Sequence, residues 1–521
     1  MVIGQLLPAV PETEKSEAWK VPEIPAFVFL CILATLLSLP HNPVLSDLDV
    51  CWLIRNGEFI LQNGHLPTGD LYSFTNLGRP WILYKWGFEL YLGVLHHVAS
   101  LGGVVWGTAI VYALTYSILI YVLLRSEVPR LISIGLVILV LYTNFFHCFA
   151  RPTIITYLLY TVALLLLEDY RLSPGRQLWL LPPLFLLWTN LHLGFIVALG
   201  VLGLYSVTAW LLPTFFRGPG SSRDLRLLLI LPLCAAAVLI NPYGIDLLVK
   251  IWHHSNDHLV TSGLTNEMQS PNFHNFNFYP LLALIILLVS VRGRDYPGRP
   301  LLLTIVGVTL CLGLYSVRHI PYFSITAMFH LAQALRKTGS SKDLSAGPLT
   351  SGWGWALMGA ILSLIWVVGI AYQNPSFYKF PDYRIPRQAT DYLARQYKGG
   401  KPMRIFSSDD QWADYFIYQL YPQALVFIDT RFDLYGDVFF NKFISLRNEI
   451  PYNLDALSPW EVDFLVLNKR EIPRRPTLKP GWKLVYEDQE SLIYRPPAKK
   501  KDASFREERN QKDPPAQSPT Q

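Results

Sequence analysis

The chain has 521 residues, of which 51% are hydrophobic, and a formal net charge of +6 at pH 7. Its apolar residues lie in blocks of about twenty, the length of an α-helix that crosses a bilayer, which excludes an ordinary soluble globular protein. Within residues 1–375, most Lys and Arg residues lie in the segments between these blocks, and a further basic run stands at Lys499–Lys501. The charge therefore indicates membrane topology rather than binding of nucleic acid.

The apolar blocks predict a mostly α-helical fold, with a polytopic transmembrane bundle of about eleven spans over residues 1–375. The predicted spans are 24–40, 104–124, 131–150, 153–168, 178–190, 193–211, 226–241, 278–292, 300–316, 320–335 and 353–372. Acidic residues precede the first block, and the N-terminal segment lacks a small-residue cleavage site. The first span is therefore expected to remain as an uncleaved anchor.

Basic residues recur on alternate loops between these spans. The clusters are Arg125 with Arg130, Arg171 with Arg176, Arg217 with Arg223 and Arg226, Arg292 with Arg294 and Arg299, and Arg336 with Lys337 and Lys342. The positive-inside rule places all of these loops in the cytoplasm. The outer face is then expected to carry the first loop 41–103, the loop 242–277 and the C-terminal domain.

The first outer loop is predicted to contain two helices and a strand. Ser46 is expected to cap a helix that ends at Asn63-Gly64, and 71–75 is expected to form a short strand. The stretch 81–99 is apolar but contains charged residues, and a further crossing here would put the basic loops on alternating sides. We therefore predict an amphipathic helix at the outer membrane interface.

Residues 376–497 have the mixed composition of a small soluble domain. Strand-like runs at 404–407, 424–429, 464–468, 483–486 and 491–494 alternate with helix-like runs at 411–421 and 438–449. This pattern predicts an α/β domain. The charged, Pro-rich segment 498–521 is expected to be a disordered tail.

Asp47 and Asp49 follow the first span and are the first candidate site residues. A carboxylate there could act as a general base, or hold a divalent cation such as Mg²⁺ or Mn²⁺ against a phosphate. On a helix, two positions apart, they would point in nearly opposite directions, which argues against a carboxylate dyad. The alternative is structural, with one of them at the start of the helix paired with Arg55.

Arg151, His192, Arg318 and His319 are predicted at outer ends of helices. An anionic phosphate headgroup would explain such residues there, although unspecific contact with membrane lipids is the alternative. The loop 242–277 is long enough to be a lid. The remaining candidates, for contact with an acceptor or for a lid, are Glu267 of this loop and Glu89 and Asp70 of the first outer loop.

The segment from Asp429 to Gly436 follows a buried-type strand, where α/β domains commonly bind ligands. The alternative, which we favour, is an Asp–Arg network that fixes the loop. No P-loop, dinucleotide fingerprint, nucleophile elbow or metal-spaced His pair is present in the sequence. ATP-driven transport and serine hydrolysis are therefore disfavoured.

These motifs resemble the multi-pass C-type glycosyltransferases, which take sugars from polyprenyl-phosphate donors, and in particular a poorly characterised bacterial branch of that superfamily. The matching residues cover nearly the whole chain. They are Asp47-Leu48-Asp49, Trp52, Gly57, Ile60, Gly64, Pro67, Asp70, Ser73-Phe74-Thr75, Gly78-Arg79-Pro80-Trp81, Trp86, Glu89, Ala150-Arg151-Pro152, Asn190-Leu191-His192, Asn241-Pro242-Tyr243-Gly244, Ser316 to Pro321, Phe427-Ile428-Asp429 and Tyr435-Gly436. The chain departs from the branch at Leu53, where a histidine is common, and at Cys51, which replaces an aromatic residue.

The resemblance implies a glycosyltransferase at the outer face of a bacterial cytoplasmic membrane, with a polyprenyl-phosphate-linked sugar as donor. It implies an acid of the first outer loop as base or metal ligand, and basic residues of later loops for the donor phosphate. One rival class remains open, and a second is disfavoured. A non-catalytic component of polysaccharide assembly or export would bind the same lipids and is the open alternative. An ion-coupled transporter would require ionisable residues near helix midpoints and inverted repeats, and the sequence shows neither, since its polar residues cluster at helix ends.

Overall fold

A computed structural model describes residues 23–39, 42–255, 266–291, 295–336, 378–472, 475–477 and 480–497. The predicted span 353–372 and the predicted tail 498–521 lie outside these residues. The chain divides into two compact units. One contains Met1–Gly69 and Pro80–Arg384, and the other contains Asp70–Arg79 and Ile385–Gln521.

The first unit is helical. Among the described residues, its α-helices are α1 Glu23–Leu37, α2 Asp49–Asn63, α3 Trp86–Arg125, α4 Arg130–Thr143, α5 Thr153–Leu172, α6 Leu181–Thr189, α7 Phe195–Leu211, α8 Pro213–Arg217, α9 Arg226–Val238, α10 Asp246–Ser255, α11 Tyr279–Ser290, α12 Arg299–Tyr315 and α13 Ile320–Ala334. Each predicted span within the described residues overlaps one of them. Among these residues, α3 and α5 are long and apolar enough to cross a membrane, and six further apolar helices have 10–17 residues. The number of crossings stays a prediction.

Helix α3 consists of two arms. Non-helical backbone at Ala99 and at Ser100, whose φ is +51°, interrupts it. A Cβ atom on Gly103 would come within 2.1 Å of the Leu95 carbonyl oxygen, and one on Gly107 within 2.6 Å of the Tyr91 hydroxyl. The second arm is therefore folded closely against the first, which requires small residues at the contact. The helix predicted over 81–99 exists as the first arm, although it begins at Trp86.

Helix α2 packs tightly on this first arm. A Cβ atom on Gly57 would lie 1.9 Å from the Glu89 carbonyl oxygen, so the two backbones are nearly in contact. The predicted end of α2 is confirmed, because Gly64 adopts the left-handed conformation with a φ of +71°. The predicted cap is wrong: the Ser46 hydroxyl donates to the Pro43 carbonyl, and α2 begins three residues later.

The second unit contains a five-stranded mixed sheet in the order β2-β1-β3-β5-β4. The strands are β1 Met403–Ser407, β2 Ala424–Val426, β3 Phe464–Asn468, β4 Lys483–Glu487 and β5 Ser491–Arg495. The helices are α14 Arg387–Gln396, α15 Asp410–Leu420, α16 Phe432–Tyr435 and α17 Asp437–Glu449. All five predicted strands and both predicted helices of this domain are present, although β2 ends at Val426 and not at 429 as predicted. The strand predicted at 71–75 is reduced to a single parallel bridge between Ser73 and Val426.

Candidate functional site

Four of the predicted residues meet in one ion cluster of the first unit, which we call the Arg151 cluster. The Nε atom of Arg151 lies 2.5 Å from Asp47 Oδ2, and its two terminal nitrogens lie 3.0 Å from Asp49 Oδ2 and 2.6 Å from Glu267 Oε1. Asp47 and Asp49 stand at the start of α2, Arg151 precedes α5, and Glu267 lies in a 3-10 turn. Three carboxylates from distant segments therefore surround one guanidinium.

The two aspartates converge because only one of them belongs to the helix. Asp47 precedes α2, and its Oδ1 accepts a hydrogen bond from the Asp49 backbone N–H at 3.0 Å. The argument that helical spacing would separate the two side chains is therefore wrong for this chain. Arg55 forms an ion pair with Glu58 at 2.8 Å, and its expected pairing with one of the aspartates stays a prediction.

Charge and burial act differently on the acids of the cluster. Burial raises the pKa of Asp47 to about 6, because it outweighs the attraction of Arg151 while Asp49 and Glu267 add repulsion. Burial by itself would raise the pKa of Glu267, but Arg151 and then Arg318 favour the ionised form, so the pKa of Glu267 is lowered. A proton acceptor that titrates close to neutral pH thus lies beside a carboxylate that stays ionised.

Arg318 lies beside the cluster in the 3-10 turn Val317–His319. The turn is held to the Glu267 segment, since the Ser316 hydroxyl donates to the Glu267 carbonyl at 2.9 Å and the Val317 N–H donates to the Gln269 carbonyl at 2.9 Å. Arg318 is half-buried, and its guanidinium makes no hydrogen bond or ion pair within the part of the chain that the structure describes. A partly desolvated cation of this kind is suited to an anionic ligand.

His192 and His319 are neutral near pH 7. Burial and Arg318 lower the pKa of His192 well below its ordinary value, and the same two causes lower the pKa of His319 to about 4. The Nδ1 atom of His192 accepts from the Gly194 backbone N–H at 3.1 Å, so its proton is on Nε2. Both rings can therefore donate or accept hydrogen bonds near Arg318 without adding charge.

Lys85 and His147 were not predicted as site residues. Lys85 lies 4.7 Å from the centre of the Trp52 ring, and its charge acts on both Glu267 and His192. His147 is within electrostatic reach of Glu267, Arg318 and Arg151. The sequence contained a signal for Lys85, a charge inside an apolar aromatic stretch, but none that singled out His147.

Two predicted residues lie elsewhere. Glu89 is fully buried in α3, where its backbone packs on α2. Asp70 belongs to the second unit and lies 2.7 Å from Arg431, which also contacts Asp429 at 2.6 Å. Tyr435 donates to Asp429 at 2.7 Å, and all four side chains are buried. The Asp–Arg network that we favoured for 429–436 is therefore confirmed.

A divalent cation does not fit the Arg151 cluster as the structure has it. Among the described residues, no group of three or more His, Cys, Asp or Glu side chains is arranged to hold a metal ion. The three carboxylates that Mg²⁺ or Mn²⁺ would need instead face separate nitrogens of Arg151.

An apolar groove lies between α4 and α11 in the same unit. It has a volume of about 550 Å³ and is lined by residues that include Ile138, Tyr142 and Tyr279. Beyond it, the rings of Phe146 and Phe278 approach to 6.5 Å, and Phe146 is followed directly by His147.

No protein-family model matches the chain, and no curated protein matches it. Among solved structures, it is similar to the archaeal oligosaccharyltransferase AglB from Archaeoglobus fulgidus, determined with an inhibitory peptide and a dolichol-phosphate. The TM-score is 0.50 and the identity 11%, over 85% of this chain and 69% of AglB.

Two further structures are similar over most of this chain. The arabinofuranosyltransferase AftD from Mycobacteria has a TM-score of 0.49 and 13% identity, over 93% of this chain and 42% of AftD. ArnT from Cupriavidus metallidurans, bound to undecaprenyl phosphate, has a TM-score of 0.49 and 12% identity, over 91% of this chain and 96% of ArnT.

Proposed function

This chain has the fold of the C-type glycosyltransferases, and from that premise we propose that it is a membrane glycosyltransferase. It would move a sugar from a polyprenyl-phosphate donor to an acceptor at the outer face of the cytoplasmic membrane, where the C-terminal domain would also lie. Its partners would be the donor lipid, the surrounding membrane lipids and an acceptor that is a glycan, a lipid or a protein.

The observation that carries this proposal is a half-buried arginine, Arg318, beside a cluster of acids that contains a proton acceptor. Arg318 would bind the donor phosphate, and Nε2–H of His192 and the ring of His319 would add neutral hydrogen bonds to it. Asp49 or Asp47 would remove the proton from the acceptor. Transfer from a phosphate-linked sugar requires a base that accepts the acceptor's proton and a cation that stabilises the phosphate.

The proposed reaction is a single displacement. The acceptor atom would lose its proton to Asp49 or Asp47 and form a bond to the anomeric carbon of the sugar. The bond from that carbon to the phosphate oxygen would break, and its electron pair would leave with the lipid phosphate, whose charge Arg318 would stabilise. Attack from the opposite side predicts inversion at the anomeric carbon.

The groove between α4 and α11 offers a place for the apolar tail of the donor. It is lined by apolar and aromatic side chains, such as Ile138 and Tyr142. A polyprenyl phosphate has the same division between an apolar chain and an anionic head. Burial of the chain would contribute about 25 cal/mol for each Å² of apolar surface removed from water.

The test is mass spectrometry of polyprenyl-linked sugars and surface glycans in cells that lack the gene. We expect a donor lipid to accumulate and a glycan to lack one sugar, and we expect wild type but not Asp47→Asn/Asp49→Asn to restore it. Asp169→Asn is a control, because Asp169 forms an ion pair with Arg125 at the far end of α5. Equal rescue by the double variant would favour a binding or export component over an enzyme.

A further inference from the structure

We infer that Arg151 takes the place that a divalent cation would hold among Asp47, Asp49 and Glu267, so that the proposed transfer proceeds without Mg²⁺ or Mn²⁺ at this site. The inference rests on the proposed function for the role of the site. Its central measurement is ion binding, however, which requires no turnover.

The geometry separates a guanidinium from a metal ion. Each of the three nitrogens of Arg151 has its own carboxylate, at 2.5 Å for Asp47, 3.0 Å for Asp49 and 2.6 Å for Glu267. Mg²⁺ requires its oxygen ligands to converge on one point at about 2.0–2.1 Å. The nitrogens of a planar guanidinium instead point away from its central carbon, so the carboxylates that follow them are spread around its rim.

The charges of the site can be offset by side chains alone. The three carboxylates carry three negative charges when ionised, and Arg151 offsets one of them. Arg318 and Lys85 both act on Glu267 from a longer distance and favour its ionised form. Arg151 thus contacts all three acids, and two further cations act on Glu267, which reduces the electrostatic need for a divalent ion.

Arg151 is also held in place by the backbone. The N–H of the preceding residue, Ala150, donates to the Val44 carbonyl at 3.0 Å. Val44 belongs to the short 3-10 helix Pro43–Leu45, which leads directly to Asp47. Pro152 follows Arg151 and restricts the chain on its other side. The cation and its first acid therefore lie on two segments that are hydrogen-bonded to each other.

This arrangement predicts that removal of the side chain creates a metal site. In Arg151→Ala, three carboxylates would surround an empty volume and could turn toward a common ion. In Arg151→Lys, an ammonium group would remain among them. We therefore expect Arg151→Ala to bind one Mn²⁺ per chain, and we expect wild type and Arg151→Lys to bind none at this site.

The experiment is a titration of the purified full-length protein in detergent with Mn²⁺, followed by electron paramagnetic resonance of the free ion. The Arg151→Ala/Asp49→Asn double variant removes one of the acids and should abolish the new site. Size-exclusion profiles identify variants that remain folded. A folded Arg151→Ala protein that binds no Mn²⁺ would overturn the inference.

Wild type provides the second measurement, which does not depend on how Arg151→Ala folds. A Mn²⁺ ion that binds to wild type and is lost in Asp49→Asn would overturn the inference directly. The proposed function would fail through a different result. If Arg151→Ala binds Mn²⁺, wild type does not, and cells lacking the gene have unchanged glycans, then the inference about Arg151 stands and the proposed transferase activity is refuted. Sugar transfer that continues in EDTA would support both the proposed function and the inference about Arg151.

Discussion

Substitution of Arg318 by Gln should weaken binding of a polyprenyl phosphate. The side chain is half-buried and makes no ion pair with the described residues, so its charge is available to a ligand. Gln retains a hydrogen-bond donor of reduced reach and removes the charge. Hydrogen bonds to charged groups contribute about 1.5–3 kcal/mol each, which corresponds to a dissociation constant larger by about 10- to 150-fold.

The substitution should also change the neighbouring acid. Arg318 is one of the cations that lower the pKa of Glu267. Without it, the balance between burial and Arg151 shifts toward the protonated form, and the pKa of Glu267 should rise. The loss of affinity should therefore be measured at several pH values, because protonation of Glu267 reduces the repulsion between this acid and a phosphate.

The assay is a titration of purified protein with undecaprenyl phosphate, followed by native mass spectrometry. Arg217→Gln is the matched control, because Arg217 is also partly buried but forms an ion pair with Asp224 at 2.9 Å at the end of α8. An unchanged dissociation constant for Arg318→Gln would refute the role of this residue. Equal weakening by Arg217→Gln would show that the lipid responds to total charge rather than to this site.

Three other substitutions test the structure. The pKa of Asp47 is raised from 3.8 to about 6, so its stabilising contribution is full below about pH 4 and is lost as the pH rises through about 6. The unfolding temperature of wild type should therefore fall relative to that of Asp47→Asn between these pH values. Equal pH profiles of the two proteins would contradict this prediction. Arg431→Met leaves two buried carboxylates without their cation and should destabilise the second unit by about 3–5 kcal/mol, measured as loss of resistance to proteolysis; unchanged resistance would rule this out. Gly57→Ala would place a methyl group 1.9 Å from a main-chain carbonyl oxygen of α3 and should cost at least about 1–3 kcal/mol, whereas Gly200→Ala, where a Cβ meets nothing within 4 Å, should leave the unfolding temperature almost unchanged.

The sequence alone predicted the local elements well, because each leaves a local pattern. Apolar blocks located the helices of the first unit. Strand-like and helix-like runs located the strands and two of the helices of the second unit. Gly64 marked the end of α2, since a left-handed residue is needed there. The sequence also identified Arg151 and Arg318 at helix ends and Glu267 in the loop 242–277.

Their partners could not be predicted in the same way. Arg151 and Glu267 are 116 residues apart, and Asp70 and Arg431 are 361 apart. No periodicity connects positions at such separations, because the contact depends on how whole helices and loops pack. The sequence therefore placed Asp70 among the candidates for the site, while the fold places it in a buried network of the second unit.

The same distinction applies to the acids of the site. The sequence determined that Asp47 and Asp49 are present, two positions apart, after the first apolar block. Only the tertiary structure decided that one precedes α2 and the other begins it, and that both face Arg151. The direction of a side chain at a helix end depends on the turn that leads into it, and here that turn is held by the Val44–Ala150 hydrogen bond between segments far apart in the chain.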